Sequence, residues 1–186
     1  MSAEHGPHID PSNKRIALLV AVLAAFLAIC ETGGKSAQTE VLTQHVEAAN
    51  LWTFFQAKTV RQTVLRTAAE ALGAEYQAPA DMPPSISKLI EKWQATAQRY
   101  ETEPQTGEGR TELMVRAKMH EQKRERARAA YHLFEYGSAA FQLAIVLAGA
   151  AALTSVMALA LVSGGLGVLG MLMTALGYFE PTLLHL

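Results

Sequence analysis

The chain has one cysteine, Cys30, in 186 residues. An intrachain disulfide and a cysteine-based zinc cluster are therefore both excluded. No proline lies between Pro104 and Pro181, so nothing in that stretch forces a helix to stop. Residues 141–179 lack Asp, Glu, Lys, Arg, His and Pro altogether. The net charge is only −1, so global charge argues neither for nor against a nucleic-acid partner. The six histidines, at 5, 8, 45, 120, 132 and 185, show no metal-ligand spacing and no H-E-x-x-H. Ser, His and Asp are unpatterned, with no nucleophile elbow. No strand signal and no 20–50-residue repeat occurs. No metal, cofactor or catalytic site is expected, and the protein is read as not an enzyme.

What is present is strongly segregated. Residues 31–138 hold 14 of the 16 Lys+Arg and 14 of the 17 Asp+Glu. On either side lie apolar stretches. The longer one, Phe141 to Phe179, has 39 residues. A hydrocarbon core ~30 Å thick takes about 20 helical residues to cross. The stretch is thus long enough for two crossings, and Ser163-Gly164-Gly165 is the expected turn. On that reading the last helix, from Leu166, has 14 residues. It would be short for a span and in need of protein neighbours. The first apolar run, Ile16 to Cys30, follows Lys14-Arg15 and ends at Glu31. A basic flank before such a run suits a signal peptide or an anchor. Leu27-Ala28-Ile29-Cys30 resembles a lipoprotein box, but Ile29 stands where a small residue is needed. The run is read as an uncleaved anchor, with helix continuing through Gly33-Gly34.

Between the apolar stretches, Ser36 to about Glu75 repeats apolar residues at helical spacing beside an uncharged Gln/Thr face that includes Gln44, Thr59 and Gln62. Prolines at 79, 83 and 84 make a turn. Ser85 is expected to cap a second helix with the stripe Ile86, Leu89, Ile90, Trp93, Ala97 and Tyr100. After Pro104–Gly109 a third helix starts near Thr111 and runs into the membrane to about Val162.

The expected fold is all-α: three transmembrane helices with a long helical-hairpin, coiled-coil-like extramembrane stalk. Its expected parts are a tail (1–13), transmembrane helix 1 (14–34), a stalk domain (35–138), a transmembrane hairpin (139–180) and a C-terminal tail (181–186). This topology puts Glu31, Lys35, Glu135 and Glu180 at one membrane edge, as a charge cluster or ion path. Gly165-Leu-Gly167-Val-Leu-Gly170 matches a dinucleotide pattern, but no strand precedes it, so the match is set aside. Ser163, Gly167, Gly170, Thr174 and Gly177 instead form a small-residue helix-packing face. Trp52, Phe55, Trp93 and Tyr100 are expected to serve stalk association, with Trp52 packing on Trp93 and Tyr100 or on another subunit. Lys123, Arg124, Arg126 and Arg128 would reach lipid heads if that side is cytoplasmic. The basic count near the membrane ends favours a cytoplasmic stalk, while Lys14-Arg15 against Glu31 points the other way.

Glu31-Thr-Gly-Gly-Lys-Ser-Ala-Gln-Thr-Glu40, Asn50-Leu-Trp-Thr-Phe-Phe-Gln-Ala-Lys-Thr59 and the Tyr131–Gln142 segment resemble an uncharacterised bacterial membrane-protein family, a domain of unknown function. The resemblance implies one N-terminal and two C-terminal transmembrane helices over nearly the whole chain. It implies no activity. The expected function is a non-enzymatic, self-associating protein of the bacterial inner membrane. It would be a scaffold or accessory subunit whose partners are the bilayer, its own copies and a larger membrane complex, with no nucleic acid. The alternative is a small oligomeric cation channel or transporter component using the membrane-edge carboxylates.

Overall fold

The structure is a computed structural model that describes residues 11–76 and 81–183, with side chains from Lys14 onward. His5, His8, Leu184 and His185 lie outside the described residues. Four helices follow in order: α1 (Pro11–Ala74), α2 (Pro84–Glu101), α3 (Arg110–Thr154) and α4 (Met157–Phe179). The fold is all-α.

Helix α1 begins at Pro11, whose fixed φ suits a first helical position, and meets no further proline before Pro79. It runs through Gly33-Gly34 without a break. Both glycines are buried against Phe134 of α3, so close packing offsets the weakening that glycine brings to a helix. Helix α2 shows the expected stripe. Ala97 is buried and Ile86, Leu89, Ile90, Trp93 and Tyr100 are half-buried, while Lys88, Glu91, Lys92, Gln94, Gln98 and Arg99 are exposed. Its start differs from expectation. Pro83 is the N-cap, Pro84 opens the helix and Ser85 lies inside it, with no side-chain cap. Proline at the first position removes an N–H that would need capping, so the serine is not required there.

The hairpin turn also differs. Helix α3 stops at Thr154, Ser155 takes a left-handed φ of 58°, and α4 starts at Met157. The Ser155 N–H donates to the Ala151 carbonyl at 2.9 Å, closing the end of α3. Ser163, Gly164 and Gly165 lie within α4. A Cβ on Gly164 or Gly165 would meet nothing within 4 Å. With 23 residues, α4 is about 34 Å long and matches a hydrocarbon core without help from the residues beyond Pro181. The expected 14-residue last helix is therefore corrected. Three helices, α1, α3 and α4, contain windows long and apolar enough to cross a membrane. This is a membrane protein.

The chain divides into two compact units: Met1–Val41 with Glu125–Leu186, and Leu42–Arg124. The first, the membrane unit, has a core of Leu23, Cys30, Phe134, Phe141 and Ala144, with Leu19, Phe26, Leu27 and Ile145 packed on it. The second has a smaller core of Leu51, Leu113 and Ala117, joined by Trp52 and Phe55.

Candidate functional site

In the membrane unit, α1 and α3 approach closely because glycine faces the partner helix. A Cβ on Gly33 would stand 2.8 Å from the Phe134 ring, and one on Gly137 would stand 3.0 Å from Cys30 Sγ. The Cys30 thiol donates to the Phe134 carbonyl at 3.2 Å. Phe26 stacks on Phe141 with ring centres 6.2 Å apart, and Phe134 meets Tyr178 edge-on at 4.9 Å. These contacts fix the rotation of both helices. The same rotation brings polar side chains from each into one groove.

The groove has a volume of about 440 Å³. Helix α1 lines it with Cys30, Glu31, Gly34, Lys35 and Gln38; α3 lines it with Tyr131, Phe134, Glu135, Ser138, Ala139 and Gln142. Glu135 is held on its own helix by His132 Nδ1 at 3.2 Å. The Gln142 amide donates to Ser138 Oγ at 3.2 Å. Glu31 and Lys35 are both exposed, one helical turn apart, and among the described residues neither forms an ion pair. So Glu31, Lys35 and Glu135 share one groove. Glu180 does not line it; this residue is the exposed C-cap of α4, its N–H bonded to the Leu176 carbonyl. Sequence reasoning did not assign Gln38, Tyr131, Ser138 or Gln142 to the groove. Two stretches that carry the family resemblance, 31–40 and 131–142, supply the groove's two walls.

Helix α4 buries five residues, Ser163, Gly167, Gly170, Thr174 and Gly177. Ser163 Oγ donates to the Ala144 carbonyl of α3 at 2.7 Å, and Thr174 Oγ1 to the Gly170 carbonyl of its own helix at 2.8 Å. Cβ atoms on Gly170 and Gly177 would stand 3.0 Å from the Phe141 and Phe134 rings, and one on Gly167 would meet Leu23 at 2.6 Å. The face therefore packs against helices of the same chain.

The unit Leu42–Arg124 is built around a residue that the sequence reading passed over, Arg110. Its Nε donates to Thr59 Oγ1 at 2.9 Å, and Nη1 to Gln62 Oε1 at 2.6 Å and Glu101 Oε2 at 2.8 Å. Its guanidinium lies 4.9 Å from the Phe55 ring centre. Gln62, 2% exposed, also donates to the Ala97 carbonyl and to Glu101. The Gln62 hydrogen bond first, then the Arg110 charge, hold the Glu101 carboxyl below its ordinary value, against partial desolvation. Lys58, 7% exposed, sits 3.7 Å from both Glu103 and Glu108 and 5.7 Å from the Tyr100 ring centre. Trp52 donates its indole N–H to Glu121 at 2.9 Å and packs edge-on with Phe55 at 5.4 Å. Trp52 therefore joins the Leu51–Leu113–Ala117 core, a correction to the expected packing on Trp93 and Tyr100. Trp93 is half-buried on α2. Of the Gln/Thr face, Gln44 and Gln62 are buried, whereas Thr39, Thr53 and Thr63 are exposed and donate to carbonyls of their own helix. The basic run is exposed at Lys123, Arg126 and Arg128; Arg124 is half-buried, 3.4 Å from His45.

No curated protein and no solved structure matches the chain. A family model matches residues 12–180, which spans both units and all three apolar helices. The chain belongs to the family described as Domain of unknown function (DUF4337).

Proposed function

We propose that this is a non-enzymatic, self-associating protein of the bacterial inner membrane, serving as a scaffold or as an accessory subunit of a larger membrane complex. We further propose that residues 42–124 lie on the cytoplasmic side, where the larger number of flanking basic residues would place them.

One observation supports self-association above the rest. In the unit Leu42–Arg124, α1 carries a bare stripe through Leu42, Val46, Thr53, Val60, Val64 and Ala71, all exposed. The spacings of 4, 7, 7, 4 and 7 keep them on one face of a helix with 3.6 residues per turn. Leu42 is 61% exposed, Val60 62% and Val64 60%. Scattered apolar residues on a surface need no explanation, but an aligned series of this length does. Copies inserted in one bilayer share an orientation, so an axis along the membrane normal brings each residue to the level of its own counterpart. A charge there would face itself, and none of these six residues is charged. In the membrane unit Ala17, Ala21, Ala24 and Ala28 are likewise exposed, with the small side chains that let membrane helices approach.

The test is oxidative cross-linking in native membranes. Cys30 is buried, so the native background serves. Val60→Cys and Val64→Cys should give disulfide-linked dimers, and Arg61→Cys, about 100° around the helix, should give far less. A strict monomer by mass analysis in mild detergent, with no cross-link at either valine, would rule the reading out. The alternative, a cation path, has less behind it. The carboxylates that line the groove share it with Lys35, and Glu180 is elsewhere.

A further inference from the structure

The groove of the membrane unit has three features that together describe a ligand. Its volume, about 440 Å³, falls within the roughly 300–1,000 Å³ of small-molecule sites. It offers unpaired charges of both signs, the Glu31 carboxylate and the Lys35 ammonium, with the fixed Glu135 carboxylate on the opposite wall. It also lies where charge gives way to hydrocarbon. Glu31 is the first charged residue after Ile16–Cys30, and after Glu135 helix α3 carries no further charge. One turn deeper, below Glu31 and Gln142, come Leu27 and Val146, with Ile145 beside Val146. Leu27 and Ile145 are half-buried and Val146 is 67% exposed.

A polar site with separated opposite charges, one helical turn from apolar side chains, fits an amphiphile whose head is a zwitterion. We infer that the groove binds a phospholipid with a phosphoethanolamine head. The primary ammonium, with three donors, bonds to Glu31 and to the free capacity of Glu135. The phosphate, which joins the ammonium arm to the glycerol, meets Lys35, whose side chain leans back along α1 toward the level of Glu31. The acyl chains run down past Leu27, Ile145 and Val146. Two carboxylates against one lysine disfavour an anionic head such as phosphoglycerol. A trimethylammonium head lacks the N–H donors that the carboxylates would take. The lysine in the wall also disfavours a bare metal ion, and among the described residues no cluster of three or more metal-ligating side chains occurs. This inference rests on the membrane placement of the apolar helices and is independent of self-association.

The test is native mass spectrometry of the full chain in mild detergent, titrated with an equimolar mixture of dioleoyl phosphatidylethanolamine, phosphatidylcholine and phosphatidylglycerol. The wild type should retain the ethanolamine lipid above the other two. Glu31→Gln and Lys35→Gln should each weaken that retention roughly tenfold or more, as expected for the loss of a charge-assisted hydrogen bond. Lys35→Arg should restore it. Both glutamine variants change exposed side chains, and a helix content and thermal midpoint by circular dichroism equal to the wild type show that their fold is intact. Equal retention of the three lipids by the wild type, a preference for phosphatidylglycerol, or unaltered ethanolamine-lipid binding in both glutamine variants would overturn the inference. Displacement of the lipid by an equal concentration of soluble glycerophosphoethanolamine would overturn the lipid assignment in favour of a free zwitterion.

Discussion

In the membrane unit, helices meet where side chains are missing. Gly33, Gly137, Gly170 and Gly177 each face an aromatic ring or a small side chain at distances that no Cβ would tolerate unchanged. In the unit Leu42–Arg124, helices α1, α2 and α3 meet through Arg110, Gln62, Glu101 and Lys58, long polar side chains that are half-buried or buried. The difference follows from the solvent. Lipid tails are as apolar as leucine, so membrane helices gain little by hiding apolar area and associate by close contact and a few hydrogen bonds such as Ser163 to Ala144. In water the apolar seam does drive association, but here it is small, centred on Leu51, Leu113 and Ala117. The register of that seam is then fixed by directional hydrogen bonds, each with one geometry in which all its partners are satisfied.

Two spectroscopically separate reporters allow the comparison to be broken one unit at a time. Trp52 and Trp93 are the chain's only tryptophans, and both lie in Leu42–Arg124. Cys30 is the only cysteine, and it is fully buried in the membrane unit. The largest effect should come from Gly137→Leu. A Cβ at Gly137 would stand 3.0 Å from Cys30 Sγ, 3.1 Å from Thr174 Oγ1 and 3.3 Å from the Gly170 carbonyl. Two different helices would have to give, one of them by its backbone. Overpacking of this kind costs about 3 kcal/mol. Thiol labelling of Cys30 in detergent should accelerate by two orders of magnitude or thereabouts. The tryptophan-detected melt should move far less. A labelling rate equal to the wild type would show that the membrane unit is loosely packed.

Arg110→Met comes next and acts on the other reporter. It leaves Gln62 Oε1 and Glu101 without their guanidinium, and Gln62 is 2% exposed. Loss of hydrogen bonds to a charged group, with a buried acceptor left behind, costs about 2–3 kcal/mol. The tryptophan-detected midpoint should fall while Cys30 labelling stays slow. Simultaneous loss of both signals would mean that the two units do not open separately.

Acid should produce a smaller change in the same unit. The Glu101 carboxyl sits below its ordinary value of 4.5, first through the Gln62 hydrogen bond and then through Arg110. A carboxyl with a lowered folded-state pKa binds its proton more readily when unfolded. Its contribution is therefore complete above about pH 4.5 and is lost as pH falls through the folded value. The tryptophan-detected stability should decline on acidification across that window, and Glu101→Gln should flatten the decline. A slope unchanged in Glu101→Gln would assign the acid sensitivity to other carboxyls.

The contrast between the units also explains which features were legible in the sequence. Helix α2 faces water on one side, so its stripe from Ile86 to Tyr100 gives its orientation directly. The three apolar helices are legible from length and composition alone. Membership of one edge by Glu31 and Glu135 follows from topology. Joint occupation of a groove with Gln38, Tyr131 and Ser138 depends on the rotation of α1 against α3, which Gly33, Gly34 and Gly137 set by close approach and no periodicity reveals. Arg110 was hidden for a related reason. It opens a helix next to a glycine, and its partners Thr59 and Gln62 lie about fifty residues away, indistinguishable by pattern from the exposed Thr53 and Thr63.

The misplaced turn leads to the smallest and most diagnostic expectation. In water, Gly164-Gly165 would read as punctuation, because glycine costs a helix about 1 kcal/mol relative to alanine. In the bilayer the backbone has no alternative partner, so the pair stays helical and the chain reverses at Ser155, which has no glycine or proline to mark it. Gly164→Ala places a methyl group where nothing lies within 4 Å. Gly170→Ala places the same group 3.0 Å from the Phe141 ring. If glycine in α4 supplies room for a neighbour and not freedom to bend, Gly164→Ala should leave Cys30 labelling within about twofold of the wild type, well under 1 kcal/mol. Gly170→Ala, nearer the cysteine's own packing shell, should raise it measurably. Equal effects from the two would mean that α4 depends on glycine for its backbone, and the close-packing account of the membrane unit would then fail at its simplest position.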